Sequence, residues 1–571
     1  MSGPTSSAGS SATSDRAAQE GRHRDKARER RAERGKSTLS TTADLVGATL
    51  AELGVAQAFG VVGSGNFVVT GALVARGVPF VAARHECGAT VMADAYARMS
   101  DRLPVVTLHQ GCGLTNALTG ITEAAKSRTP LLVLTADTPG AAVTANFRID
   151  QDAAIRAVGA VSERVHSPAS AVADTVRAYR KAVHERRTVV LNLPLDVQAA
   201  PAVPGPATVP VVPRPVRPDA DAVASLANAL RGARRPVFVA GRGARHAADS
   251  LRALAEATGA LLATSAVAHG LFAGDPWSLG ISGGFASPRT AALIADADLV
   301  VGWGCALNKW TTKHGALLGA TVAQVDLDPA AFGAHTRVGL GVVGDVAWTA
   351  RDVLAALDGY TQDGYRTAPL GEVRWTPPAD ESTADRIDPR VLSARLDALL
   401  PAARTVSVDS GNFMGYPSAY LSVPDEYGFC FTQAFQSIGL GLATALGAAL
   451  ARPDRLPVAA LGDGGFLMGV AELETVVRLG IPMVVVVYDD AAYGAEIHHF
   501  GRDADLSTVT FPDTGLAAIG EGFGCAGLTV RTVADLDGVT RWLDGPRDRP
   551  LLVDAKITDD GGSWWLAEAF R

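Results

Sequence analysis

Two aspartates set the chemistry this sequence could do. Asp463 lies in the glycine turn Gly462-Asp463-Gly464-Gly465, and Asp490 lies in Tyr488-Asp489-Asp490-Ala491-Ala492-Tyr493-Gly494. Carboxylate oxygens beside a glycine turn suit a hard cation such as Mg²⁺ and a diphosphate clamped by it. The surrounding elements explain how the two would meet. Residues 457–461 read as a buried strand, 467–479 place apolar side chains at helical spacing, and 481–487 read as a second buried strand. A right-handed crossover delivers both carboxylates to the same end of neighbouring parallel strands, where open α/β sheets bind ligands. Either turn alone reads more simply as an acidic loop facing solvent.

The pair and its spacing resemble the metal- and diphosphate-binding motif of thiamine diphosphate enzymes, in which Gly-Asp-Gly is followed, one strand–helix–strand unit later, by Asn. That resemblance implies that Asp463, the side chain at 490 and the backbone carbonyl of Ala492 bind Mg²⁺, with Gly462, Gly464 and Gly465 along the diphosphate. The chain departs from the pattern by placing Asp at 490. The change keeps an oxygen ligand and adds a negative charge beside the diphosphate.

Other segments resemble further parts of the same family. Arg84-His85-Glu86-Cys87-Gly88-Ala89 follows a strand-like stretch; taken alone, Glu86 reads as an acid favouring a helix N-terminus. By resemblance it is the glutamate whose carboxyl hydrogen-bonds the cofactor's pyrimidine ring, a role suited to a buried acid of raised pKa. Ile438, in Gln436-Ser437-Ile438-Gly439, takes the place of the apolar wedge that bends the cofactor, and ordinary core packing is its other reading. Gly411 and Asn412, in Asp409-Ser410-Gly411-Asn412, resemble the loop cradling the diphosphate and are also ordinary turn residues. Ser64 and His109 fall where benzoylformate decarboxylase carries an active-site Ser and His; the alternatives are a structural Ser in a glycine turn and a His capping a helix. Glu496 stands where pyruvate and indolepyruvate decarboxylases place an acid acting on intermediates. With His498 and His499 it also reads as a helical metal-site fragment, for which no third ligand is identifiable.

The rest of the chain must hold these groups in place. At 571 residues and 47% hydrophobic, it can bury several cores. Proline-rich stretches at 201–219 and 361–384 divide it into domains at 39–200, 220–360 and 385–571, behind a basic, apolar-poor tail at 1–38. Each domain alternates apolar strands with helical patterns, so the expected fold is α/β, with three doubly wound parallel-sheet domains. The resemblance implies that they are pyrimidine-binding, central and diphosphate-binding in that order. It also implies a homodimer or homotetramer in which the glutamate and the diphosphate site of one cofactor come from opposite subunits. In the central domain, Gly241-Arg242-Gly243 after a strand is where some relatives bind FAD; a short glycine turn is weak evidence, many relatives leave this domain empty, and FAD is not the expectation.

A net charge of −7 gives no reason to expect nucleic acid, and no apolar run is long enough to span a membrane. Five cysteines without disulfide or metal spacing fit a reducing cytoplasm. The expected function is non-oxidative decarboxylation of a 2-oxo acid, dependent on thiamine diphosphate and Mg²⁺, through an enamine whose protonation releases an aldehyde. The alternatives are an acetolactate-synthase-like carboligase, which passes the enamine to a second carbonyl acceptor, and a non-catalytic protein of the same fold.

Overall fold

The computed structural model describes residues 40–207, 211, 213–501, 503–559 and 564–566. The basic stretch 1–38, read above as a tail, lies outside them.

Among the described residues three six-stranded sheets form, each with its strands parallel. The first contains Gln57–Gly60 (β1), Phe80–Ala82 (β2), Pro104–Leu108 (β3), Leu131–Asp137 (β4), Val161–Arg164 (β5) and Thr188–Pro194 (β6), in the order β2-β1-β3-β4-β6-β5. The second contains Pro236–Ala240 (β7), Leu261–Thr264 (β8), Ser278–Ile281 (β9), Leu299–Trp303 (β10), Thr321–Asp326 (β11) and Leu340–Val343 (β12), ordered β12-β11-β10-β7-β8-β9. The third contains Arg404–Val408 (β13), Phe429–Phe431 (β14), Leu456–Gly462 (β15), Val484–Asp489 (β16), Ala526–Val530 (β17) and Leu551–Lys556 (β18), ordered β14-β13-β15-β16-β18-β17. Their unbroken apolar runs follow from burial on both faces, as in Val484-Val485-Val486-Val487, where every side chain is buried.

The strand order reverses between β1 and β3, between β7 and β10, and between β13 and β15. Crossovers leave in opposite directions there, which opens a crevice at the strands' C-terminal ends. At the order reversal of the second sheet, two backbone segments approach closely. The Gly304 carbonyl and Cys305 stand where a Gly241 side chain would be, and Gly304 also abuts Gly243. This close approach accounts for the glycines of the turn considered for FAD.

Two details differ from the sequence reading. The helical stretch 467–479 is two short helices, Asp463–Gly469 and Glu472–Arg478, separated where the chain passes the Gly439 carbonyl, 2.9 Å from where a Gly469 Cβ would stand. The strand expected from 481 begins at Val484, because Pro482 has no N–H to add to the ladder. No helix among the described residues is long and apolar enough to cross a membrane.

The chain divides into two compact units. Among the described residues, one comprises 40–82, 103–116 and 130–207 and carries the first sheet; the other comprises 83–102, 117–129 and 211 onward and carries the other two. The helix Glu86–Ser100 belongs to the second unit because it packs on the helix Gly441–Ala451, where Gly447 offers no side chain and the Met92 carbonyl moves in. From the same helix, buried Arg98 donates to Asp94 (3.0 Å), Glu123 (2.9 Å) and the Phe431 carbonyl (3.0 Å).

Removing that guanidinium would strand two buried carboxylates. Arg98→Met is expected to cost about 3–5 kcal/mol in denaturant unfolding; a loss below 1 kcal/mol would show that the cluster does not hold the helix.

Candidate functional site

The third sheet positions the two aspartates by register. β15 and β16 pair with Gly462 opposite Tyr488, so the residues that follow each strand emerge side by side. Asp463 opens the short helix after β15 and is buried. The adjacent acids Asp489 and Asp490 then part company. Asp489 ends β16 and turns into the core, where its Oδ2 accepts from the buried Lys556 Nζ at 2.5 Å. Asp490 turns the other way and shares a hydrogen bond with Asp463. Burial first, and then the charge of Asp489, pushes the Asp463 carboxyl up to about 7, against the pull of its hydrogen bond to Asp490; burial and then the charge of Asp463 hold Asp490 well above the usual carboxylate range.

A proton between the carboxyls, or a cation, relieves this repulsion, so the donor set fits Mg²⁺. Among the described residues no three His, Cys, Asp or Glu side chains converge as a metal cluster. A cation at the pair would therefore complete its shell from backbone and ligand oxygens; Ala492, whose N–H donates to Asp490 Oδ1 (3.3 Å), is the neighbouring loop residue. The loop carrying Ala492 is pinned from outside, since Tyr493 N donates to Val509 O (2.9 Å) and Phe511 N to Ala491 O (2.8 Å). Gly494 is needed for close approach: Asp490 Oδ2 and Asn412 Nδ2 (3.0 Å) crowd the place where its Cβ would be. An acceptor for a metal and a donor for an anion thus converge on one backbone position. Asn412, Tyr416, Asp490, Ala492 and His498 wall a cavity of about 50 Å³.

The opposite lip comes from β13. Asp409, fully buried, accepts from the backbone N–H groups of Ser410 (2.8 Å), Gly439 (3.0 Å) and Leu440 (3.2 Å), and also from Gly441. Burial holds its carboxyl up at about 6, against the opposing pull of these amides. This acid joins the Gly411-Asn412 loop to the segment carrying Ile438. Ile438 is half-buried, between two left-handed residues, Gln436 (φ 61°) and Gly439 (φ 86°). The sequence reading quoted Asp409 without giving it a part; an acid at a strand end just before Gly-Asn was the available signal.

Glu86 is the first residue of its helix and is half-buried. Glu496, also half-buried, lies in the helix Gly494–Phe500 directly after the Asp490 loop.

In the first unit, Ser64 and His109 meet at the order reversal between β1 and β3. His109 Nδ1 lies 3.0 Å from the Gln110 carbonyl, which can only accept, so Nδ1 carries the proton. Nε2 is then the acceptor facing Ser64 Oγ at 3.4 Å. The ring packs edge-on against Phe147. Buried Asn66, missed by the sequence reading, fastens the Ser64 loop, accepting from Gly63 N (2.8 Å) and donating to Val61 O (3.1 Å) and Thr107 Oγ1 (3.2 Å). A larger polar cavity of this unit, about 740 Å³, contains none of the residues singled out from sequence; at its rim Arg164 bridges Asp137 (2.7 Å) and Asp152 (3.0 Å).

Comparison with known proteins returns the same arrangement of parts. Residues 40–157 match the N-terminal TPP-binding domain of thiamine pyrophosphate (thiamine diphosphate) enzymes, 223–357 match the central domain, and 409–555 match the C-terminal TPP-binding domain. The chain is 32% identical to a probable 2-ketoarginine decarboxylase of Pseudomonas aeruginosa, over 86% of this chain and 89% of the relative. It is 28% identical to a sulfoacetaldehyde acetyltransferase of Rhodobacter capsulatus (93% and 96% covered). It is also 28% identical to a catabolic acetolactate synthase of Raoultella terrigena (90% and 96% covered).

The split between the adjacent acids is testable. Asp490→Asn is expected to weaken apparent Mg²⁺ affinity about tenfold, as one ligand charge is lost, measured by Mg²⁺ titration of thermal stability in the presence of thiamine diphosphate. Asp489→Asn, which removes a nearby charge but no ligand, should change that affinity less than Asp490→Asn does and should lower stability by about 3 kcal/mol, because Lys556 loses a buried partner.

Proposed function

The chain belongs to the thiamine pyrophosphate enzyme family, and we propose that within it the protein is a Mg²⁺-dependent, non-oxidative decarboxylase of a 2-oxo acid. Thiamine diphosphate supplies, when bound, a carbon nucleophile for the substrate carbonyl and an acceptor for the electron pair released with CO₂. The chain's own residues decide the rest. Asp463, Asp490 and the Ala492 carbonyl hold the metal, Gly462, Gly464, Gly465, Gly411 and Asn412 line the diphosphate, and Ile438 supports the bent cofactor. Glu86 exchanges a proton with the pyrimidine ring, so its carboxyl must be free to cycle between charged and neutral forms.

The observation that carries the decarboxylase reading is the fixed tautomer of His109. With Nδ1–H tied to the Gln110 carbonyl, Nε2 is the atom that takes up a proton and hands it on, beside the Ser64 hydroxyl. A decarboxylase that releases an aldehyde must place a proton on carbon after CO₂ departs, a step for which Ser64 and His109 are suited. The 2-ketoarginine decarboxylase relative supports the same outcome. A carboligase of acetolactate-synthase type is the second reading, favoured by the acetolactate synthase and acetyltransferase relatives, and it would withhold that proton until an acceptor carbonyl arrives. Either enzyme would work in the cytoplasm as a homodimer or homotetramer, each site completed by a second copy.

Product analysis by mass spectrometry separates the readings. With thiamine diphosphate, Mg²⁺ and a panel of 2-oxo acids that includes 2-ketoarginine, one acid is expected to give the aldehyde one carbon shorter, with no acceptor needed. A hydroxyketone or acetohydroxy acid as the sole product would overturn the decarboxylase in favour of the carboligase. Glu86→Gln is expected to lower kcat by about 10²–10⁴-fold, the usual worth of a positioned proton-transfer group.

A further inference from the structure

The helix that begins with Glu86 is entered through a turn fastened from elsewhere in the second unit. Glu472, the first residue of the helix Glu472–Arg478, is 3% exposed. Its Oε1 accepts from two consecutive backbone amides, Arg84 N and His85 N, each at 3.0 Å. Its Oε2 accepts from Thr475 Oγ1 at 2.7 Å, which fixes the carboxylate plane. Gly88, in the first turn of the Glu86 helix, offers no side chain, and the Glu472 carboxylate occupies the space its Cβ would need. A second tie runs parallel, from Arg84 to Glu474. Within the turn itself His85 Nδ1 accepts from Cys87 N (3.1 Å) and caps the helix. Burial pushes the Glu472 carboxyl up, and Thr475 and the two amides pull it back.

An oxygen that accepts from two successive N–H groups fixes the dihedral angles between them, and hence the direction in which the next residue leaves the turn. Here the next residue is Glu86. We infer that Glu472 is a positioning residue for Glu86: it sets the strand-to-helix junction so that the Glu86 carboxyl is presented to the pyrimidine ring, without touching the cofactor itself. This rests on the reading of Glu86 as the cofactor's proton partner. The role needs an acceptor oxygen at the end of a side chain of this length, and it does not need the charge. Gln at 472 keeps the acceptor in place, whereas Asp keeps the charge and withdraws the acceptor from both amides.

The test compares Glu472→Asp, Glu472→Gln and Glu86→Gln in the full-length protein. In the absence of cofactor, hydrogen exchange read by mass spectrometry over the peptide containing Arg84 and His85 is expected to accelerate in Glu472→Asp and to stay near wild type in Glu472→Gln. With thiamine diphosphate and Mg²⁺ bound, deuterium exchange at the cofactor's C2 and kcat should fall about ten- to a hundredfold in Glu472→Asp at nearly unchanged KM, and stay within about threefold in Glu472→Gln, as for a misplaced catalytic group. Wild-type C2 exchange in Glu472→Asp, alongside its loss in Glu86→Gln, would overturn the positioning role and leave the Glu86 reading standing. Equal losses in Gln and Asp would also overturn it, because charge rather than placement would then matter. Retained C2 exchange in Glu86→Gln would remove the Glu86 reading and the inference built on it.

Discussion

The site depends on one electrostatic constraint: Asp463 and Asp490 are held so close at the ends of adjacent parallel strands that both cannot be charged without compensation. Strand register makes the encounter unavoidable, and the core behind β15 and β16 prevents either backbone from moving away. A cation bound there would relieve a repulsion built into the fold. Lys556 pairs with the neighbouring Asp489, as well as with Asp513 and Asp554, so the charge of Asp489 is only partly offset and adds to the negative field at the pair.

A second regularity is the use of buried carboxylates to hold backbone rather than to make ion pairs alone. Asp409 gathers the amides of 410 and 439–441, Glu472 those of 84 and 85, Glu123 those of Ala434 and Phe435, and Asp554 that of Leu516. A loop at the end of a parallel strand has N–H groups that no ladder satisfies, and burying them unpaired would cost free energy. One carboxylate can accept from several, so each acid ties two remote segments into a single geometry. Three of these four acids, Asp409, Glu472 and Glu123, fasten the segments that lead into Asn412, Ile438 and Glu86.

How far the sequence could be read depended on how local each feature was. The glycine turn and the second aspartate belong to one strand–helix–strand unit, so spacing alone brought them together, and the three doubly wound domains followed from repeated alternation of apolar strands with helical patterns. The break between the helices 463–469 and 472–478 escaped because it answers the remote Gly439 carbonyl. Asp409 and Asn66 went unassigned for a similar reason: acids and amides in turns are common, and only their partners thirty to forty residues away distinguish them. Glu472 sits in an ordinary amphipathic helix, and nothing nearby in the chain hints that its partners are residues 84 and 85.

By itself, the sequence determined the fold class, the family and which residue types reach the strand ends, because periodicity, glycine turns and short motifs are properties of contiguous chain. Tertiary structure decided which of two adjacent aspartates meets Asp463, which nitrogen of His109 carries the proton, and which buried acids hold the loops. Those outcomes are set by burial and by partners remote in sequence. A carboxylate's charge and an imidazole's tautomer follow from what surrounds them, and that becomes defined only when the chain has packed.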